Sequence, residues 1–419
     1  LLDLLKSKIV PGLSIIAISS FTNDLVVIDN DEYVVLLDDP SLTCNIPDTE
    51  KNSFYNKYGI KLIQKASSLT KLLAIKKCPN ILESLFSKST NFSALSFSTM
   101  LGILTEKLSD GEIKAGIPAD EVRAFGIPHM SNTQLESLLA DIGINTDKTS
   151  VIKTRYLQGK DAMFYQINDF QAEIITLKML YKNKVLPKDA VIISLDTVAK
   201  IITPDTNLPK QINGFGYDTI RNGGRVTKTW FAKLFSNKYR TRAYYENINK
   251  IHSKAAKKYS SPKIYFYPQT NFDENGVIID SAGNTITLAN IDKLLANTKL
   301  EDIIIAITLG LGFELRFQCD SLIDNFSSKN MPIYLYGGLT SHDQTGWLTI
   351  LLETMPKTNI YRLDLPSGAK ACAYAAISEL NLKETPQIKF ETFLLGSGGQ
   401  RNKEFQLWLQ KRTEVSRVI

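Results

Sequence analysis

Cysteine and histidine are scarce in this chain of 419 residues, with four of one and three of the other. Cys44, Cys78, Cys319 and Cys372 form no C-x-x-C pair. Neither a zinc site nor a disulfide framework is indicated, and reduced, partly buried thiols fit a cytoplasmic protein. None of His129, His252 and His342 has a metal-ligand partner three or four residues on, so no resident metal site is expected. No apolar run reaches the ~18 residues a membrane span needs. Internal repeats and low-complexity tracts are missing as well. So is an initial Met: the chain starts at Leu1 inside "LLDLLKSKIVPG". That stretch looks like the tail of a helix, and a natural segment is expected upstream of it.

What is there is the material of globular domains. Hydrophobic residues make up 43% and charged residues 22%, with a net charge of +6 and a mean hydropathy of −0.09. That balance can bury sizeable cores, and the length suits two or three domains. The densest basic run, 233–263, alternates with Tyr and Asn. It reads as a solvated helical face rather than a nucleic-acid surface, so no nucleic-acid partner is expected.

Strands and helices are mixed throughout. "LSIIAISS" (13–20) reads as a strand, and "DLVVIDNDEYVVLLD" (24–38) as a hairpin turning at Asn30-Asp31. From 52 to 104 the spacing is mostly helical. "NTQLESLLADIGI" (132–144) predicts an amphipathic helix ended by Gly143, and 169–186 a helix closed by Pro187. A hairpin at 189–203, a Gly-rich loop at 213–225 and strands at 263–269 and 276–288 follow. A very apolar helix spans 300–326, and "PSGAKACAYAAISEL" (366–380) is a small-residue helix. A boundary is expected near 200.

Between the last two helices lies "PIYLYGGLTSHDQTGWLTILLETM" (332–355), an apolar run that meets Gly337-Gly338 before an amphipathic segment. The plain reading of two glycines is a tight turn. Glycine also lets another group approach the backbone, and strand–Gly–helix is a common seat for a nucleotide.

The order of these pieces resembles the FGGY carbohydrate kinases, from about Leu13 to Leu380. The most specific part is Gly337-Gly338 after a strand, then Trp347, then a helix similar to the family's GAAxxA, matched by Gly368, Ala369 and 373–376. Small residues there would let helix and nucleotide approach closely. "ISSFTNDLVVID" (18–29) looks like the family's second sugar-binding strand region. "SLTKLLAIKKCP" (68–79) looks like its Lys-Leu-x-Trp helix, with Ala74 for the Trp, and "KIYFYP" like the strand before its sugar-kinase loop. The resemblance implies an α/β chain of two ribonuclease-H-like domains of the actin/Hsp70/sugar-kinase superfamily, with a cleft between them. On that reading 1–203 is the sugar-binding domain without its first hairpin, 204–395 the nucleotide-binding domain and 396–419 a helical tail. ATP and Mg²⁺ are the implied cofactors and a sugar or polyol the substrate; a homodimer is left open.

Phosphoryl transfer to a hydroxyl is mainly positioning and charge stabilisation, with a carboxylate that orients the hydroxyl and accepts its proton. The family supplies an Asp at a helix start, and "YQINDFQAEIITL" (165–177) matches it at Asp169. By pattern alone such an Asp is a helix N-cap; the resemblance makes it the catalytic base. In the phosphate-loop region, "SLDTVAK" (194–200) keeps Thr197 but has Asp196 where the family has Gly. A carboxylate there would repel phosphate. Gly337 and Gly338 would form the adenine and ribose platform. Gly223-Gly224, before Trp230, match a glycine pair near the same cleft, with a flexible loop as the equal alternative. Asn23 and Asp48 join Asp169 as sugar contacts.

The departures are specific. The family's Asp-x-Gly-Thr hairpin has no counterpart in this sequence. Gln-Met-His becomes Phe21-Thr22-Asn23, and the Arg of Trp-x-Asp-x-Arg becomes Glu50. In "IAITLGLGF" (305–313), Ala306 and Gly310 survive while the family's Arg and Glu do not. An active sugar kinase and a catalytically inactive homologue that binds a ligand or partner are therefore both carried forward. An acetate-kinase-like or chaperone-like member fits the glycine, Trp and small-residue order less well.

Overall fold

Runs rich in Ile, Val and aromatic residues form the strands, and segments with apolar residues three or four apart form the helices. The computed structural model describes residues 6–12, 14–20, 25–30, 32–36, 47–58, 68–77, 86, 92–118, 131–152, 154–195, 199–204, 210–212, 215–220, 224–235, 242–258, 263–268, 275–324, 326, 329–340, 345–365, 369–380 and 392–417. The chain divides into two compact units. Unit 1 is Leu1–Met179 with Pro366–Gln387, and unit 2 is Leu180–Leu365 with Ile388–Ile419.

Unit 1 opens with β1 (Ser14–Ser20), β2 (Leu25–Asp29) and β3 (Glu32–Leu36). β2 and β3 form the expected hairpin, with Asp29 opposite Glu32 and Asn30 left-handed at φ 51°, a conformation Asn accepts more readily than most residues. Helices α1 (Asp48–Tyr58) and α2 (Ser68–Lys77) occupy the stretch expected to be helical, but β4 (Ser96–Ser98) interrupts it. β4 sets the buried Phe97 opposite Val27 of β2. Three residues are too few to show strand alternation in sequence. Next come α3 (Met100–Leu108), β5 (Gly116–Pro118), α4 (Asn132–Ile142) and β6 (Ser150–Ile152), which pairs in parallel with β5.

The ends of α4 follow directly from residue type. Ser131 Oγ accepts the Gln134 N–H at 3.2 Å, and Gln134 Oε1 accepts the Ser131 N–H at 2.9 Å, a reciprocal capping box. Gly143 closes the helix at φ 87°. Ser131→Ala is expected to lower unfolding free energy by about 1 kcal/mol; an unchanged urea midpoint would show the cap to be redundant.

β7 (Tyr156–Gln158) and β8 (Ala162–Asn168) complete the sheet β1-β8-β7. β1 and β8 run parallel, from Ser14 opposite Ala162 to Ser20 opposite Asn168. α5 (Asp169–Lys182) starts on the residue after β8. It stops four residues short of the expected 186, where Lys184 turns left-handed at φ 58°.

Unit 2 is built on a seven-stranded sheet. β9 (Val191–Leu195) and β10 (Ala199–Thr203) form the expected hairpin, followed by β11 (Lys210–Ile212) and β12 (Phe215–Ile220). Then come α6 (Gly224–Phe235), α7 (Arg242–Lys258), β13 (Tyr265–Tyr267), β14 (Val277–Ile279), β15 (Thr285–Ile286), α8 (Leu300–Leu322), β16 (Ile333–Tyr336), α9 (Thr345–Thr354) and β17 (Asn359–Leu363). After α10 (Ala369–Glu379), which belongs to unit 1, unit 2 resumes with β18 (Thr392–Ser397) and α11 (Asn402–Arg417). The strand order is β11-β12-β10-β9-β16-β17-β18. β9, β16 and β17 are mutually parallel, and the remaining pairings are antiparallel. All four residues of β16 are buried, as befits a parallel strand covered on both faces.

α8 is buried continuously from Ile303 to Arg316, which explains a sequence apolar on every side. Within the basic stretch α7 is amphipathic: Glu246, Lys250 and Lys254 face solvent while Ile248, Ile251 and His252 are buried.

The units divide the chain differently from the expected 1–203, 204–395 and 396–419. β9 pairs with β16, so the 191–203 hairpin goes with the later sheet. β18 pairs with β17, and α11 buries Phe405 and Trp408 in the unit 2 core, so the last segment is integral rather than a tail.

Candidate active site

Asp169 stands where a parallel strand hands over to a helix. β1 and β8 end together, Ser20 opposite Asn168, so the chain leaves β1 beside the start of α5. Asn168, buried at 2% exposure, accepts the Gln171 N–H through Oδ1 at 2.7 Å. The cap of α5 is therefore Asn168, and the reading of Asp169 as a plain N-cap is corrected. Asp169 is half-buried, and its Oδ1 accepts the Phe170 N–H at 2.8 Å. Its charge lies at the positive end of the helix dipole.

A polar cluster braces this region. Arg155 Nη2 donates to Gln171 Oε1 at 2.8 Å, and Arg155 Nη1 pairs with Glu379 at 2.5 Å. The hydroxyls of Tyr156 and Tyr165 each donate to Glu379 Oε2 at 3.0 Å. Burial, reinforced by the Glu379 charge, pushes the Tyr156 hydroxyl up to about 12 and the Tyr165 hydroxyl higher still. Both remain protonated donors at neutral pH. Arg155 and Glu379 are 224 positions apart, and no local pattern announces the pair. The Asn168 cap had a local signal, an Asn immediately before an apolar-periodic run.

The small residues of α10 serve unit 1 itself. Ala371, Cys372, Ala375 and Ala376 pack with Tyr165, Ile167, Ala172 and Ile175, because side chains of that size let a helix lie close on a sheet. Of the residues matched to the family helix, Ala375 and Ala376 are in this core. Gly368 lies outside the described residues.

On unit 2, Gly337 follows β16 at φ 107°, a conformation that requires glycine. Its carbonyl accepts the Thr340 N–H at 3.0 Å and the Thr340 hydroxyl at 2.7 Å. Gly338 begins the short 3₁₀ turn Gly338–Thr340 and is exposed. A locked turn with exposed glycine backbone after a buried strand fits close approach by a ligand. Gly224 is the first residue of α6, and Trp230 on that helix is fully buried, its Nε1 donating to the Asn275 carbonyl at 2.6 Å. Asp48 opens α1. Asn23, Thr197 and Gly223 lie outside the described residues. Among the described residues no three His, Cys, Asp or Glu side chains are grouped to hold a metal.

No protein-family model matches the sequence, and no curated protein matches it. Solved structures do. A ligand-bound xylulose kinase from Lactobacillus acidophilus is similar at TM-score 0.60 and 16% identity, over 99% of this chain and 87% of that one. A gluconate kinase from the same organism gives 0.58 and 16%, over 99% and 87%. Plasmodium falciparum glycerol kinase with ADP gives 0.59 and 13%, over 99% and 86%. The chain has the fold of the FGGY carbohydrate kinases. At these identities the likeness is one of fold, and it extends over nearly the whole chain. The mixed α/β architecture expected from the sequence is thus that of the sugar kinases, and no helix among the described residues is long and apolar enough to cross a membrane.

Proposed function

We propose that the protein is an ATP-dependent carbohydrate kinase that phosphorylates a sugar or polyol hydroxyl in the cytoplasm. The observation that carries this reading is the placement of Asp169 at the junction of β8 and α5, as the first residue of the helix. Asp169 would orient the acceptor hydroxyl and take its proton, with Asn23 and Asp48 holding the sugar. We read both units as ribonuclease-H-like domains, unit 1 for the acceptor and unit 2 for the nucleotide. The ADP-bound glycerol kinase of the same fold supports the nucleotide assignment.

Gly337 and Gly338 would seat the nucleotide, Thr197 would meet its γ-phosphate, and Gly223-Gly224 would flank it. Mg²⁺ would arrive with the nucleotide, held by one or two carboxylates and phosphate oxygens, and would neutralise charge on the transferred group. Gly338 is the better probe, because a substitution at Gly337 would be strained at φ 107° whatever bound there. Gly338→Val should weaken ATP-Mg binding tenfold or more, about 1.4 kcal/mol. Equal affinity by calorimetry would move the nucleotide elsewhere.

The deciding experiment is phosphorylation of a panel of pentoses, hexoses and polyols by full-length protein. A second reading, an inactive homologue that binds a ligand or partner, is favoured by Asp196 in the phosphate loop and Glu50 in place of a sugar-gripping Arg. Sugar binding without phosphorylation of any panel member would establish it.

A further inference from the structure

Trp347, one of the residues that marked the sugar-kinase resemblance, is buried at 4% exposure in the first turn of α9. Its Nε1–H, enclosed by protein, meets no acceptor among the described residues. His252 on α7 lies beside it, the two rings 6.1 Å apart at 53°, and is itself 1% exposed. The imidazole's tautomer can be assigned from its neighbours. Thr308 Oγ1 on α8 gives its own hydrogen to the Ile304 carbonyl at 3.0 Å. It can therefore only accept from His252 Nε2, 2.9 Å away. With the proton on Nε2, Nδ1 is a lone-pair acceptor, and it too is buried without a partner among the described residues.

An orphan donor and an orphan acceptor thus lie on adjacent buried rings. Such groups in folded proteins are nearly always satisfied. We propose that a single buried water bridges them, accepting from Trp347 Nε1–H and donating to His252 Nδ1.

The chemistry of the two groups selects this ligand. A metal cation has no use for an indole N–H, and an anion would be repelled by the Nδ1 lone pair. A group that both accepts and donates satisfies both, and water is the smallest. Buried waters commonly hold two to four such partners. Burial holds the His252 pKa down at about 4, so Nδ1 remains an acceptor at neutral pH. The water would pin α9, the helix after the Gly337-Gly338 turn, to α7, independently of whether the protein is a kinase.

The test is a crystal structure of the full-length protein at a resolution that shows ordered water. It should be paired with a water–indole nuclear Overhauser measurement in solution. The expected result is a water peak about 2.7–3.2 Å from both nitrogens and a cross-peak from the Trp347 indole N–H to long-lived water. In Trp347→Phe, which keeps an aromatic side chain but removes the donor, the peak should weaken or vanish. No peak in the wild type, a direct N–H···N contact, or an undiminished peak in Trp347→Phe would overturn the proposal. If that variant fails to fold, the wild-type density and cross-peak decide alone.

Discussion

Asp169→Asn is expected to lower the rate of sugar phosphorylation by about 10²–10⁴-fold, the usual loss when a general base is removed. The fold should hardly change. Asn168 caps α5 by accepting the Gln171 N–H, and Arg155 holds the same turn through the Gln171 carboxamide. Neither contact uses the Asp169 side chain. The Asn side-chain oxygen can still accept the Phe170 N–H, and the charge lost at the helix N-terminus is typically worth about 0.3–1 kcal/mol. A fall in kcat of that size with a nearly unchanged unfolding midpoint would identify the base. Turnover at the wild-type rate would remove Asp169 from the chemistry, and equal loss of fold and activity would make it structural.

Local chemistry was legible where a few adjacent residues decide the outcome. Ser131, Gln134 and Gly143 define both ends of α4, and Asn30 marks the β2–β3 turn. The apolar sequence of α8 declared its burial. What could not be read were pairings between distant segments. β1 finds β8 across more than a hundred residues, and β9 finds β16. Nothing near residue 203 signals that the strands before it belong with strands after it. The return of α10 to unit 1 brings Glu379 to Arg155, Tyr156 and Tyr165, a meeting made only by the fold. The same limit applies to the candidate site. Asp169 and the glycine pair could be picked out by their order along the chain. That the helix cap is Asn168 and not Asp169 required the geometry.

Gly310 gives the largest expected effect on stability, and its sign runs against helix propensity. In a helix interior Ala is favoured over Gly by about 1 kcal/mol, so on α8 alone Gly310→Ala would stabilise. The position is not isolated, however. A Cβ at Gly310 would lie 2.3 Å from the Phe266 carbonyl oxygen, 2.8 Å from its Cβ and 2.9 Å from its carbonyl carbon. Two of those atoms are backbone, so no rotamer change relieves the clash, and β13 or α8 must move. The Phe266 carbonyl also accepts the Trp408 indole N–H at 2.9 Å. Phe266 itself is fully buried, edge-on to Trp230 at 5.5 Å. Shifting this strand therefore strains a hydrogen bond and an aromatic contact together. Overpacking of a tight core typically costs about 1–3 kcal/mol, which exceeds the propensity gain. Gly310→Ala should accordingly lower the urea midpoint, with the change visible in fluorescence from the buried Trp230 and Trp408. An unchanged or raised midpoint would mean that α8 and β13 can separate freely, and that this glycine is kept for some reason other than their close approach.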